Sequence, residues 1–310
     1  MPPWTILSLL DWTTNHFKKN GIESARLDAE LLLAHVLECD RMKLYLQFER
    51  VLTEDELAVF KKLIQRRLQG EPIAYLTGEK EFWSMLFQVG PGVLIPRPET
   101  EVLVEKVIGA IHESPLRNVG TGRDLSLRVL DIGTGSGILA ITLAKEFPQA
   151  QIEAWDISEE ALIYARKNAE RHGVGERIKF LKKDIRGLGN APQPPLKLRG
   201  GEGELFPGSF DLIISNPPYI ASSKINSLPK EISVFEPKQA LDGGEDGLDF
   251  YRLLSQCAGN FLNSGGILAV EIGEDQGETV PKIFSDAGLA EIQVTKDYAG
   301  LPRVVITKKT

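Results

Sequence analysis

The sequence predicts an α/β protein, in which a doubly wound, mostly parallel β-sheet follows a small all-helical N-terminal domain. Two observations support this fold class. Residues 1–75 show helical periodicity, whereas from residue 127 onward short apolar strands alternate with amphipathic helices. Such alternation implies a parallel sheet with helices on both faces. We therefore expect a helical domain at 1–75, a β-hairpin linker at 76–97 and an α/β domain at 98–310.

The N-terminal domain contains three helical segments: TILSLLDWTTNHFKK, ESARLDAELLLAHVLE and TEDELAVFKKLIQRRLQG. The first is followed by Asn20-Gly21, a common helix stop. The third opens with Thr53 and has Glu56 three residues later, the spacing of a capping box. The mixed charges of the N-terminal domain indicate a helical bundle without chemistry of its own. The alternative is a domain that docks a protein substrate.

A β-hairpin is expected next, because EFWSMLFQVGPGVLIP carries alternating apolar residues around Gly90-Pro91-Gly92. RPETEVLVEKVIGAIHE then shows helical periodicity. The strands predicted after it are LRVLDIG, QIEAWDI, IKFLKKD, FDLIISNPPY, GGILAVEIG and RVVITKK. A late hairpin would give the sheet an antiparallel edge. Residues 186–209 are rich in glycine and proline and are expected to form an exposed insertion.

Composition excludes several classes of protein. The formal net charge of −7 provides no broad basic field for a nucleic-acid backbone. The two cysteines, Cys39 and Cys257, are far apart in the sequence, so we expect no disulfide scaffold and a reducing, cytoplasmic location. The four histidines lack the spacing of metal ligands, so we expect no metal site. The sequence contains no apolar run of about 18 residues, so no membrane span is expected.

The first motif with chemical meaning is RVLDIGTGSG, residues 128–137. A strand ending with Asp131 leads through Gly133, Gly135 and Gly137 into a helix. Glycines let the backbone approach a ligand closely, so this turn predicts a ligand cradle. The loop alone also suits a dinucleotide, although a carboxylate before the first glycine favours a cationic ligand over a pyrophosphate.

Two further carboxylates follow at the ends of the next strands. Asp156 lies 19 positions beyond Gly137, where a carboxylate can hold ribose hydroxyls, and Asp184 ends the following strand. Each alone could be a helix cap or a turn residue. Together with Asp131 they predict an acidic cofactor pocket on one sheet edge. An NAD-dependent oxidoreductase would also need a hydride-transfer group, and the sequence offers no candidate set.

The second motif is Asn216-Pro217-Pro218-Tyr219, at the end of an apolar strand. A planar nitrogen becomes a usable nucleophile when its N–H groups are held by acceptors. The Asn216 side-chain oxygen and the Pro217 backbone carbonyl can supply two, and Tyr219 can pack against a flat substrate. A simple strand terminator is the alternative.

DIGTGSG resembles the first cofactor motif of the class I S-adenosylmethionine-dependent methyltransferases, which have a Rossmann-like, seven-stranded sheet. The resemblance implies that Asp131 lies near the methionine part of the cofactor, that Asp156 holds the ribose and that Asp184 holds the adenine. The cofactor-binding residues expected on this basis are Asp131, Gly133, Thr134, Gly135, Gly137, Asp156, Ile157, Asp184 and Asn216.

NPPY resembles the motif of methyltransferases that act on a nitrogen conjugated to a planar system. IPRPETE, FEPKQALDGGEDGLDFYR and YAGLPRVV further resemble the family of glutamine methyltransferases that modify class I peptide chain release factors. This implies methyl transfer to the glutamine amide of a Gly-Gly-Gln motif. Asn216, Pro217 and Tyr219 would act in catalysis, and the substrate-binding residues would be Asn216, Pro217, Pro218, Tyr219, Arg97 and Glu99.

Several alternatives stay open at this point. Arg97 and Glu99 could instead form an ion pair or a helix cap, and the DGGEDGL segment could cover the site or form a plain turn. The substrate could be a glutamine of a ribosomal protein, or an adenine or guanine of a nucleic acid. A non-catalytic module would be expected to lose Asn216 or the glycine loop. We expect a monomer that binds neither membrane nor nucleic acid.

Overall fold

The computed structural model describes residues 3–113, 126–188, 196–197, 204–205 and 210–310. The chain divides into two compact units. The first comprises Met1–Glu79, Val89–Pro91 and Pro229–Phe235, and the second comprises Lys80–Gln88, Gly92–Leu228 and Glu236–Thr310. The predicted insertion at 186–209 lies largely outside the described residues.

The first unit is helical. Its helices are α1 (Ile6–Lys19), α2 (Ala25–Val36), α3 (Arg41–Leu46), α4 (Glu54–Leu68), α5 (Ile73–Thr77) and, from later in the chain, α9 (Lys230–Ser233). The predicted capping box is confirmed, since Thr53 accepts from the Glu56 backbone N–H and the Glu56 side chain accepts from the Thr53 N–H. Arg67 is 5% exposed and pairs with Asp28 of α2 at 2.7 Å, which joins α4 to α2 inside the apolar core.

The hairpin exists, but its predicted turn position is wrong. Strands β1 (Glu79–Phe82) and β2 (Met85–Gln88) pair with each other, and the turn lies at Trp83 and Ser84 rather than around Gly90-Pro91-Gly92. Both turn residues have positive φ, of 51° and 55°, as a two-residue hairpin turn requires. The backbone N–H of Trp83 donates to Glu101 and its ring N–H donates to Glu146, both at 2.8 Å. These side-chain contacts hold a turn that the residue types alone do not signal.

The second unit contains the predicted seven-stranded, mostly parallel sheet. Its order is β10-β11-β9-β8-β3-β4-β5. The strands of the unit are β3 (Arg128–Ile132), β4 (Gln151–Asp156), β5 (Ile178–Lys182), the short pair β6 (Leu196–Lys197) and β7 (Glu204–Leu205), β8 (Phe210–Ser215), β9 (Leu262–Glu271), β10 (Leu289–Lys296) and β11 (Pro302–Lys309). The helices are α6 (Thr100–Glu113), α7 (Ile138–Glu146), α8 (Glu159–Arg171), α10 (Asp249–Phe261) and α11 (Thr279–Asp286).

The central strands are buried on both faces. Val129 of β3 packs into one apolar cluster, with α6 and α7, while its neighbour Leu130 packs into the other, with α10 and α11. Six of the seven strands of this sheet run in the same direction, and β11 runs antiparallel to both of its neighbours, β9 and β10. The late hairpin therefore inserts its second strand beside β9 and leaves β10 at the edge.

Candidate active site

The turns that follow β3, β4 and β8 lie side by side at one edge of the sheet. The Cα of Asp131 is in register with Ala154 of β4 and Ile214 of β8, so the carboxyl ends of the three strands coincide. The buried Ser215 hydroxyl donates to the Ile132 carbonyl at 2.7 Å and ties the end of β8 to that of β3. Ligands of open α/β sheets bind at this edge.

A cavity opens at this edge and brings most of the predicted site residues together. The predicted residues that line it are Arg97, Gly133, Thr134, Gly135, Asp156, Ile157, Asp184, Asn216, Pro217 and Pro218. Apolar walls come from Ile132, Leu139, Ile185 and Phe250. Four of the predicted site residues do not line this cavity: Asp131, Gly137, Tyr219 and Glu99. Their positions are described below.

Gly133 and Gly137 serve different purposes in the glycine loop. Gly133 has φ +74°, and a Cβ added there would meet nothing within 4 Å, so the backbone is open to a ligand. A Cβ on Gly137 would lie 2.9 Å from the Ile141 side chain and 3.2 Å from the Ala165 Cβ. The absence of a side chain at Gly137 therefore lets α7 pack closely against α8, behind the cavity wall.

Asp131 lies behind the glycine loop and is fully buried. One carboxylate oxygen accepts from the Thr134 hydroxyl at 2.7 Å and from the Ala140 N–H at 3.2 Å. The other oxygen has no hydrogen-bond partner among the described residues. Burial raises the Asp131 pKa to about 7.

Asp156 joins the end of β4 to both the glycine loop and α8. Its carboxylate accepts from the Gly135 N–H at 2.9 Å and from the Ser158 N–H at 2.8 Å. Burial raises its pKa, although these backbone hydrogen bonds oppose the rise. The carboxylate is thus held in a fixed orientation at the cavity wall.

Asp184 also lines the cavity, but its carboxylate is already paired. Both oxygens accept from Arg186 Nε, at 2.9 and 3.0 Å, and hydrogen bonding to Arg186 lowers the Asp184 pKa. The neighbouring Lys183, which the sequence did not single out, also lines the cavity. Its ammonium lies 3.9 Å from the Trp155 ring centroid, and burial lowers its pKa to about 8.

Asn216 is linked to two residues that sequence reasoning missed. Its side-chain N–H donates to the Thr100 hydroxyl at 3.2 Å, and Thr100 donates to the Glu271 carboxylate at 2.7 Å. Tyr219 donates to the other Glu271 oxygen at 3.3 Å. Glu271 is 1% exposed, and burial raises its pKa to about 7. Thr100 lies within the charged segment IPRPETE and carried no signal. Glu271 follows the apolar run at 267–270, so a charged residue in an apolar context was the available signal for Glu271.

Arg97 lines the cavity and also forms an ion pair. Its partner is Glu236, whose side chain is 1% exposed and also accepts from the Ile95 N–H at 3.1 Å. Glu236 therefore joins the segment before α6 to the segment 236–240. Glu99 is exposed and lies outside the cavity lining.

The DGGEDGL segment, 242–248, braces the backbone after Asn216 and does not line the cavity. The Gly243 N–H donates to the Ile220 carbonyl at 2.9 Å, and the Ile220 N–H donates to the Leu241 carbonyl at 3.0 Å. The Gln276 amide donates to the carbonyls of Tyr219 and Gly247, both at 3.1 Å. These contacts fix the path of the chain through the motif.

The described residues contain neither a candidate metal site nor a helix that could cross a membrane. No cluster of three or more histidine, cysteine, aspartate or glutamate side chains could hold a metal ion. Within the same ranges, no helix has the length and apolarity needed to cross a membrane.

Comparison with known proteins identifies similar chains. Residues 8–78 match the PrmC N-terminal domain and residues 124–294 match a methyltransferase domain. The release factor glutamine methyltransferase of Geobacter sulfurreducens is 41% identical over 306 residues, which cover 97% of this chain and 96% of that protein. The protein of the same name from Rhodopirellula baltica is 38% identical over 99% of this chain and 97% of its own length. A methyltransferase crystal structure from Pyrococcus furiosus, 22% identical, matches with a TM-score of 0.48 and covers 79% of this chain and 96% of that one.

Proposed function

This chain belongs to the release factor glutamine methyltransferase family, and on that premise we propose that it methylates the glutamine of the Gly-Gly-Gln motif in class I peptide chain release factors. The methyl donor is S-adenosylmethionine, and the acceptor is the side-chain amide nitrogen. The observation that carries the proposal is similarity along nearly the whole chain to relatives of that name.

The cavity fits this cofactor chemically. Asp156 and Asp184 line it, and the buried Asp131 behind the glycine loop has a carboxylate oxygen without a partner among the described residues. Of these acids, Asp156 is the one held by backbone N–H groups alone, and its charge favours a cationic ligand, because opposite charges attract more strongly where water is partly excluded. We propose that Asp156 holds the ribose hydroxyls and that Ile157 and Ile185 contact the adenine. Asp184 is proposed to accept from the adenine amine in addition to Arg186.

Asn216 and Pro217 are the proposed acceptors for the glutamine amide. A primary amide has two N–H donors, and the Asn216 side-chain oxygen and the Pro217 carbonyl can each accept one. Holding both N–H groups orients the nitrogen for in-line attack. When bound, S-adenosylmethionine supplies a methyl group on a positively charged sulfur. The amide nitrogen would form a bond to this methyl as the sulfur–methyl bond breaks with its electron pair left on sulfur, so that S-adenosylhomocysteine is the product and one of the two N–H protons passes to water.

The proposal extends to the protein partner and the cellular location. Release factors act in translation, so the reaction belongs in the cytoplasm. We propose that the helical first unit docks the release factor and that the enzyme acts as a monomer. Tyr219 is proposed to support the glutamine pocket through its hydrogen bond to Glu271, and Arg97 to form part of the pocket wall. A neutral glutamine substrate does not need the basic groove that a nucleic acid would need.

Mass spectrometry tests the proposal directly. Purified enzyme, S-adenosylmethionine and a full-length release factor should give a mass increase of one methyl group on the Gly-Gly-Gln glutamine. A release factor with that glutamine changed to alanine is the matched control and should remain unmodified. Ribosomal proteins, DNA and RNA are incubated in parallel, and methylation of any of these with none on the release factor would overturn the proposal.

A further inference from the structure

The direction of the hydrogen bonds around Asn216 determines which end of its amide faces the cavity. A threonine hydroxyl carries one proton, and Thr100 donates that proton to Glu271 at 2.7 Å. Its remaining lone pairs can only accept. The group that meets Thr100 must therefore be the Asn216 N–H, which lies 3.2 Å away, and the Asn216 oxygen is left for the cavity.

The network is buried and its members are held independently of Asn216. Thr100 is fully buried at the start of α6, and Glu271 is 1% exposed at the end of β9. The Tyr219 hydroxyl donates to the second Glu271 oxygen, and the Tyr251 hydroxyl donates to the Glu271 backbone carbonyl at 3.0 Å. Buried polar networks of this kind fix one arrangement, because an unpaired member is costly in a dry environment.

We propose that Glu271 and Thr100 are positioning residues that fix the Asn216 amide with its oxygen toward the acceptor, and so select a glutamine amide over a glutamate carboxylate. This inference rests on the proposed function. An amide offers N–H groups to the Asn216 oxygen, whereas an ionised carboxylate offers only acceptors and meets this oxygen with repulsion. Without the Thr100 hydroxyl the Asn216 amide can rotate and present its N–H groups to a carboxylate.

The test compares peptides that carry either Gly-Gly-Gln or Gly-Gly-Glu. The measurements are kcat and KM for the glutamine peptide and the inhibition constant of the glutamate peptide. Thr100→Val and the smaller Thr100→Ala both remove the hydroxyl, and Thr100→Ser retains it. The matched control is Thr307→Val, since the buried Thr307 donates a comparable hydrogen bond to the Ala290 carbonyl at 2.7 Å outside this network.

Thr100→Val and Thr100→Ala should lower kcat for the glutamine peptide by about 10- to 100-fold, the scale of a mispositioned reactive group. They should also reduce the preference for the glutamine peptide by about 10-fold, because specificity here depends on the orientation of one polar group. Thr100→Ser should restore both quantities, and Thr307→Val should change neither. Glu271→Gln should likewise reduce the preference.

Two outcomes would overturn different claims. If Thr100→Val and Thr100→Ala keep the wild-type preference between the peptides, the positioning role of Thr100 is wrong while the proposed function stands. If the wild-type enzyme methylates neither the glutamine peptide nor a full-length release factor, the proposed function itself fails.

Discussion

The carboxylate of Asp156 accepts a hydrogen bond from the backbone N–H of Gly135 at 2.9 Å, so the end of β4 and the glycine loop of β3 form one structural unit. The same carboxylate accepts from Ser158, the residue that caps α8. The proposed ribose contact and the shape of the glycine loop therefore depend on a single side chain.

Replacement of Asp156 by alanine should weaken S-adenosylmethionine binding by about 1–3 kcal/mol, the scale of a lost charged hydrogen bond. Calorimetric titration measures the affinity, and Asp156→Asn, which keeps the shape and loses the charge, should give an intermediate value. Equal affinities for Asp156→Ala and wild type would remove the ribose assignment.

Replacement of Asn216 by alanine should lower kcat by at least about 100-fold, because the acceptor for one amide N–H is lost. Cofactor affinity should stay within about twofold of the wild type, since the side-chain oxygen that the substitution removes faces the methyl acceptor. Asn263→Ala is the matched control: Asn263 donates to Asp211 at 2.6 Å and does not line the cavity. A parental methylation rate in Asn216→Ala would show that Asn216 does not act as proposed.

The pH dependence of kcat should reflect the ionisation of Glu271. Burial raises its pKa to about 7, against the hydrogen bonds from Thr100 and Tyr219 and the charge of Arg303, while the charge of Glu99 adds to the rise. The ionised form accepts from Thr100, so kcat should increase as the pH rises through about 7. In Thr100→Val this rise should disappear, because Asn216 is then uncoupled from Glu271. A wild-type rise that persists unchanged in the variant would assign it to another group.

Asp131 should make the unliganded protein less stable as the pH rises. Its folded pKa of about 7 lies above the ordinary value of 3.8, so the folded state binds the proton more tightly and loses stability between these two values. Asp131→Asn removes this dependence. Relative to wild type, the variant should gain roughly 3 kcal/mol in unfolding free energy between about pH 5 and pH 8. Urea unfolding at both pH values measures the difference, and no relative gain would contradict a raised pKa.

Gly247 should be less tolerant of alanine than a glycine with the same backbone but open surroundings. It has φ +77°, and an added Cβ would lie 2.5 Å from the Tyr219 carbonyl oxygen. Gly288 has φ +82° and nothing within 4 Å of such a Cβ. Gly288→Ala should cost about 1–2 kcal/mol from the left-handed conformation alone. Gly247→Ala should cost more and also lower kcat, because the backbone after Asn216 must shift. Equal effects in unfolding and activity assays would show that the loop gives way instead.

Much of the sheet edge could be predicted from sequence, because the signals are local. Asp156 and Asn216 follow apolar runs, and parallel strands bring their ends together. The hairpin turn could not be located, because Trp83 and Ser84 carry no turn signature and the turn is held by hydrogen bonds from Trp83 to Glu101 and Glu146, which are distant in the chain.

Thr100 and Glu271 could not be predicted as site residues for a different reason. Thr100 follows an acidic residue at a helix start and looks like an ordinary first-turn residue, while Glu271 ends an apolar strand. Their hydrogen bond joins positions 171 residues apart, so no spacing rule could have suggested it. The pairing of Asp184 with Arg186 could not be predicted, because an exposed arginine two residues later resembles any surface charge.

Glu236 connects Ile95 and Arg97 to a segment 141 residues away in the chain. Its carboxylate joins two segments that line the cavity, at Arg97 and at residues 237–240, so these segments cannot separate without breaking a half-buried ion pair. The spacing of these two lining segments therefore depends on one acidic side chain, which is separate from the groups proposed to transfer the methyl. A substitution at Glu236 is therefore the place to begin if the cavity is to admit a bulkier acceptor while Asn216 and Pro217 stay unchanged.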